Sequence, residues 1–498
     1  MRRISLLSTK ESKSANKARI GKFILDTLSI GMYNNALMLL REYVQNSVDA
    51  IDAKELSTRG SQEESCIDIE INGRTRSIII SDNGSGISAS DSWNSLHDLG
   101  RSFKRLSHNR GFRGIGRLGG LGYCSQLKFI TKARGEKVYT VSEWDCKKLR
   151  GLLSHDDHSI VDVAELIDEV VNYNQFEYHE DKEDHFFKVE LHDVYSSRDV
   201  LLNVPAIKSY LSQVAPVPFN IKQFKYSDRI GAYLEQNVPH YKTYRLLVNK
   251  EQIFKPYTND IAVGKGTSNI KDVKLIELKD DGRVLAYGWL GVMDLAGSIN
   301  PTSGVDGIRL RMGNILVGDN YTACDLFRER RFNNYLLGEM HIISHKIIPN
   351  SRRDDFEDNK EKDELFNAFI KEIGLPYSKE IRDASKARSS SIQLKQKRVL
   401  LGRAKKLIKE GYVSASQKGA IITMLKRLKA VDGSVNGNVD ALIAGLNKAE
   451  HCVDRLGKKI KPAEKAMLKS VLNVIYKKSS NKDEAAQIAG LVVKTYLN

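Results

Sequence analysis

At 498 residues the chain is too long for one ordinary core, and 41% hydrophobic with 28% charged residues describe a folded chain rather than a disordered one. No apolar run reaches the roughly 18 residues a spanning helix needs, and MRRISLLSTKESKSANKARIGK is basic but lacks the apolar stretch of a signal peptide. Five scattered cysteines without a CxxC pair argue against a disulfide framework and against a thiolate zinc site, so a cytoplasmic protein is expected.

Charge divides the chain unevenly. Residues 381–498 hold 25 Lys+Arg against 9 Asp+Glu, while residues 1–380 hold 53 of each, so the whole net charge of +16 falls in the last quarter. Either a lysine-rich solvated helical surface or an acidic partner, nucleic acid among them, accounts for such asymmetry. Three blocks are expected. Residues 1–195 alternate helical and strand patterns and contain the glycine-rich segments. Residues 196–380 are again mixed, with strand-like TYRLLVNK, VLAYGWLGV and GIRLRMGNILVGD. Residues 381–498 read as helical after a linker at DASKARSSS (383–391), with a stop at Gly411, an N-cap at Ser414 or Ser416, and Pro462 in the first turn of a further helix.

The first chemical signal is LLREYVQNSVDAID, residues 39–52. Glu42, Asn46 and Asp49 fall at helical spacing on one face, while Leu40, Val44, Val48 and Ile51 occupy another and read as core. A plain amphipathic helix explains this pattern. So does metal-assisted phosphate hydrolysis, in which Asn46 offers an oxygen to Mg²⁺ and Glu42 takes a proton from an attacking water.

The second signal is CIDIEINGRTRSIIISDNGSGIS, two strands around an NGR turn. The second strand carries Asp82 at its end, where a carboxylate can accept from an exocyclic amine and select adenine. Gly84 and Gly86 allow backbone to approach a flat ring, although DNGSG alone is equally a simple turn. The third is RGFRGIGRLGGLGYCSQLKFITK, whose GxG clusters can cradle phosphates with backbone amides. A Rossmann fingerprint should follow the first strand of its unit, and here a helix with an acid–amide face comes first; no GxxxxGK[ST] occurs either.

In this order and spacing the three segments resemble the GHKL superfamily: gyrase B, heat-shock chaperones, sensor histidine kinases and mismatch-repair ATPases. EYVQNSVDA looks like its N box, SDNGSGIS its G1 box and GFRGIGRLGG its G2 box; LGRSFKR looks like the start of an ATP lid around residues 97–113. The ninety-kilodalton chaperones are the nearest in pattern, from about residue 36 to 133. The resemblance implies an α+β fold with a Bergerat sandwich at 1–195 and a mixed transducer-like middle domain at 196–380; residues 381–498, an all-α basic domain by their own pattern, do not resemble the chaperone dimerisation domain. It implies ATP and Mg²⁺ as ligands, Glu42 as general base and Asn46 as Mg²⁺ ligand. Asp82 would take the adenine amine, with Gly84, Gly86 and Ile87 of the same box at the nucleotide. Lys104, Gly111, Arg113, Gly114, Ile115 and Gly116 would surround the phosphates. Asp49 is left with two roles, a supporting hydrogen bond or direct contact.

IIPNSRRDDFE (347–357) is similar to the middle-domain loop that sends an arginine into the nucleotide site, which would make Arg352 the matching residue beside Arg353. A charged surface turn is the bland alternative. One departure stands out: HFFKVELHDV places Phe186 and Phe187 where the family has a Gly-Thr pair near adenine. The resemblance as a whole implies a slow ATPase clamp doing chaperone-like or remodelling work, as a homodimer with an unidentified protein client or operon partner and no membrane. A nucleic-acid-acting ATPase using residues 381–498 and a regulatory switch with little turnover are the alternatives.

Overall fold

The computed structural model describes residues 20–29, 35–57, 64–98, 116–154, 162–350, 352–431, 436–456 and 460–495. The chain is α+β and divides into two compact units, Met1–Ile381 and Arg382–Asn498.

An eight-stranded mixed sheet organises the start of the first unit. Its strands are β1 (Cys66–Asn72), β2 (Ser77–Asp82), β3 (Gln126–Lys132), β4 (Val138–Asp145), β5 (Val171–Glu177), β6 (Phe186–His192), β7 (Arg245–Val248) and β8 (Glu251–Gln252), in the spatial order β5-β4-β3-β6-β2-β1-β7-β8. Only β1 and β7 run parallel. The sheet expected from residues 1–195 thus receives its last two strands from beyond that boundary.

Alternation decides which face is covered, because opposite residues on paired strands project to the same side. Ile78, Leu191 and Leu127 form one cross-strand row, and Ile80, Val189 and Phe129 the next; all are buried. Helices α1 (Phe23–Ser29) and α2 (Met38–Ser57) belong to the same core. Leu40, Val44, Val48 and Ile51 of α2 are buried in it, each contributing roughly 1.5–3 kcal/mol by leaving water. The third row of the sheet breaks the apolar pattern: Asp82, Phe187 and Thr131. It lies at the ends of the strands, and the chemistry of the site begins there.

A second, five-stranded sheet is built from Asp272–Asp280, Arg283–Val292, Leu337–Ile342, Gly307–Met312 and Ile315–Val317, in that spatial order. Beside it lies a fully buried charge cluster. Glu339 sits 2.7 Å from Lys255, 2.8 Å from Arg311 and 3.3 Å from His341, and accepts a hydrogen bond from Tyr257 at 3.2 Å. Although burial works against it, Arg311 and Lys255 hold the Glu339 carboxyl well below the usual carboxylate range.

The second unit is helical, with Ala415–Val431, Asn436–Lys448, Pro462–Lys478 and Lys482–Thr495. Residues 383–391, expected as a linker, lie inside the helix Leu375–Glu410. The segment contains neither proline nor glycine, so nothing in it interrupts helical hydrogen bonding. That helix ends at Gly411, whose φ of +89° and N–H, donating to the Leu407 carbonyl, make a left-handed C-terminal stop. Pro462 occupies the first position of its helix. Among the described residues no helix is long and apolar enough to cross a membrane.

Candidate nucleotide site

Helix α2 carries the acid–amide face. Glu42 and Asp49 are buried and Asn46 is half-buried. The Glu42 carboxylate is enclosed from two other directions. Its Oε1 lies 3.2 Å from Arg353 Nε and 3.8 Å from Arg41 Nε. Its Oε2 faces Gly116, where a Cβ would fall only 2.4 Å away. Arg41 turns its guanidinium to the loop beyond, donating to the Arg352 carbonyl at 2.9 Å and the Arg353 carbonyl at 3.3 Å.

The Asp82 loop is fastened to the same helix. Asp82 is buried, and its Oδ1 accepts from the Gly84 amide at 3.0 Å. A Cβ on Gly84 would stand 2.6 Å from the Ala50 Cβ, so the loop backbone lies directly on α2. Ser85 N donates to the Ala50 carbonyl and Lys54 Nζ to the Asn83 carbonyl, each at 3.0 Å. Gly86 has a φ of +63° and no space on its other side, since a Cβ would meet the Lys132 carbonyl at 2.0 Å. Ile87 N donates to Thr131 Oγ1 at 2.9 Å. His185 Nδ1 donates to the Gly84 carbonyl at 2.7 Å, which leaves Nε2 to accept from Arg134 at 3.0 Å.

Gly116 opens a 3₁₀ segment, Gly116–Gly122, that packs on α2. Tyr43 donates to the Arg117 carbonyl at 3.0 Å, and a Cβ on Gly120 would meet that hydroxyl at 2.5 Å. Arg117 in turn donates to the carbonyls of Leu96 and Asp98, at 3.1 and 2.6 Å; burial pushes its guanidinium down to about 10. Three segments far apart in sequence therefore converge on one helix, with the Glu42 carboxylate against the glycine backbone at Gly116 and the Asp82 loop against Ala50.

That arrangement coincides with a family match. Residues 33–173 match the family model described as Histidine kinase-, DNA gyrase B-, and HSP90-like ATPase. The match supports the GHKL superfamily for this segment. It supports ATP binding and hydrolysis in general terms. No curated protein matches the chain.

The GHKL segment contains α2, the Asp82 loop and Gly116, but not β6 or the Arg352 loop. On β6, Phe187 stands between Asp82 and Thr131, half-buried, with its ring 6.0 Å from Phe129. A threonine hydroxyl is nonetheless present one strand away: buried Thr131 accepts from Ile87 N and donates to the Phe186 carbonyl at 3.1 Å. Arg352 is exposed, whereas Arg353 is half-buried with its guanidinium at Glu42. Lys104, Gly111, Arg113, Gly114 and Ile115, and most of the expected lid, lie outside the described residues.

The sequence motifs assign no role at the site to Arg41, Thr131, His185 or Arg353. Arg41 immediately precedes Glu42, and that proximity is its one signal in the sequence. The pairing of Thr131 with Phe187 depends on strand register, which no local pattern reveals.

Proposed function

We propose that the chain is an ATP-hydrolysing conformational clamp whose general base is Glu42. The observation that carries this reading is the position of the Glu42 carboxylate, buried between the glycine backbone at Gly116 and the Arg352–Arg353 loop. In hydrolysis the water oxygen forms a bond to the γ-phosphorus, the bond from that phosphorus to the β,γ-bridging oxygen breaks, and ADP leaves. Glu42 takes the water's proton. Asp82 would accept from the adenine amine, with Gly84, Gly86 and Ile87 forming the floor beside it. The half-buried carboxamide of Asn46, one turn after Glu42, fits a Mg²⁺ ligand because it offers a hard oxygen donor. When bound, Mg²⁺ would neutralise phosphate charge.

Arg352 would reach the γ-phosphate when the loop rearranges, and Asp49 would support the site by hydrogen bonding. Residues 196–380 would act as the transducer-like part and residues 381–498 as a basic helical output domain. Base and arginine come from distant segments, so turnover depends on their approach, which favours slow basal hydrolysis and stimulation by a protein client; the likeness to the heat-shock chaperones is what favours a cytoplasmic, chaperone-like homodimer. The charge of +16 borne by residues 381–498 favours a second reading, in which the clamp acts on nucleic acid.

The test is ATP turnover by Arg352→Ala with binding followed alongside. The clamp reading predicts retained binding and a loss of turnover of roughly 10³-fold or more, the scale of arginine contacts in phosphoryl transfer. Unchanged turnover removes Arg352 from the mechanism.

A further inference from the structure

Glu42 is not presented as a free base. Its Oε1 is 3.2 Å from Arg353 Nε, and both side chains are largely withdrawn from solvent, 11% and 15% exposed. The guanidinium lies at Oε1, while Oε2 is turned to Gly116, so Arg353 takes a place at the carboxylate that a water would need. The backbone holds Arg353 there. Its φ of +56° is an uncommon conformation for arginine, and its side chain is half-buried where that of Arg352 is exposed. The loop's docking is independent of this contact, because Arg41 grips the backbone carbonyls of both residues.

We propose that Arg353 is a positioning residue that masks Glu42 until nucleotide arrives. A γ-phosphate carries more negative charge than the single carboxylate it would compete with. Its arrival draws the Arg352–Arg353 loop's guanidinium groups towards phosphate, and the same movement that brings Arg352 into contact releases Glu42. Masking keeps basal turnover low and ties exposure of the base to a filled site. This rests on Glu42 being the base.

The experiment uses the full chain and compares steady-state ATP turnover of wild type, Arg353→Asn, Arg353→Lys and Glu42→Gln, with ATP affinity measured for each. Asparagine tolerates positive φ, so the loop conformation is retained while the charge is lost. The expected result is a kcat for Arg353→Asn several-fold above wild type, with KM changed less, and a return to wild-type turnover in Arg353→Lys. Turnover of Arg353→Asn at or below the wild-type rate, with Glu42→Gln inactive, overturns the mask while leaving the base in place. Wild-type turnover in Glu42→Gln overturns the base itself.

Discussion

Gly116 and Glu42 are in direct contact, the glycine Cα facing the carboxylate so closely that a methyl group there would stand 2.4 Å from Oε2. The glycine of the third motif is thus needed for its missing side chain. Gly116→Ala must push Glu42 or the 3₁₀ segment aside. Turnover should fall by about 10²-fold or more, with stability reduced by roughly 1–3 kcal/mol, the range for overpacking. Steady-state kinetics with denaturant unfolding checks both; wild-type turnover in the variant would show that the carboxylate can sit elsewhere.

Gly84 carries an analogous constraint in the Asp82 loop, the side proposed for adenine. A Cβ at this position would lie 2.6 Å from the Ala50 Cβ and 2.7 Å from the Ala50 carbonyl carbon, so Gly84→Ala must lift the Asp82 loop off α2. ATP affinity measured by calorimetry should weaken by about tenfold or more, equivalent to at least about 1.4 kcal/mol. Undiminished affinity would separate this loop from the nucleotide.

Away from the site, Glu339 is the only carboxylate in contact with Lys255 and Arg311 among the described residues, and all three side chains are fully buried. Glu339→Gln leaves the buried Arg311 without its counter-charge and removes the carboxylate that helps keep buried Lys255 protonated, and should cost about 3–5 kcal/mol. Thermal or urea unfolding reads this directly, and a loss below about 1 kcal/mol would show that the Glu339 charge does not hold the cluster together.

Acid should weaken the fold before any carboxylate of ordinary pKa is protonated. Burial pushes the His97 imidazole down to about 4; its Nδ1 donates to the Trp93 carbonyl and its Nε2 accepts from Ser142. Between the unfolded value of 6.5 and about 4 the unfolded chain binds the extra proton, so stability is full above pH 6.5 and falls as pH drops through that window. The full effect for His97 is roughly 3 kcal/mol. Buried His341 is depressed to a similar value and adds to the trend. Unfolding curves at about pH 7.5 and about pH 5, on either side of the unfolded value, should separate more for wild type than for His97→Gln; equal separation would remove His97 as a source.

Much of this was legible because the deciding patterns are local. The acid–amide face of α2 follows from helical spacing, and the place of Asp82 follows from alternation that ends in a glycine turn. Gly411 and Pro462 mark their helix ends for similarly local reasons. The rest depended on distant partners. β7 joins β1 in parallel from far along the chain, with Cys66 opposite Arg245, and no short pattern specifies that pairing. Of two adjacent arginines it is Arg353, with its positive φ, that meets Glu42, which identical side chains in a row cannot reveal. Residues 383–391 are not the expected linker, because alanine, lysine and arginine there sustain a helix.

ATP hydrolysis by wild type and Glu42→Ala, measured together with ATP binding, tests the central claim most directly. With Glu42 as the base, wild type binds and slowly hydrolyses ATP, while Glu42→Ala binds it with similar affinity and turns over at least about 10²-fold more slowly. Hydrolysis by Glu42→Ala at the wild-type rate, or failure of wild type to bind ATP at all, would contradict it.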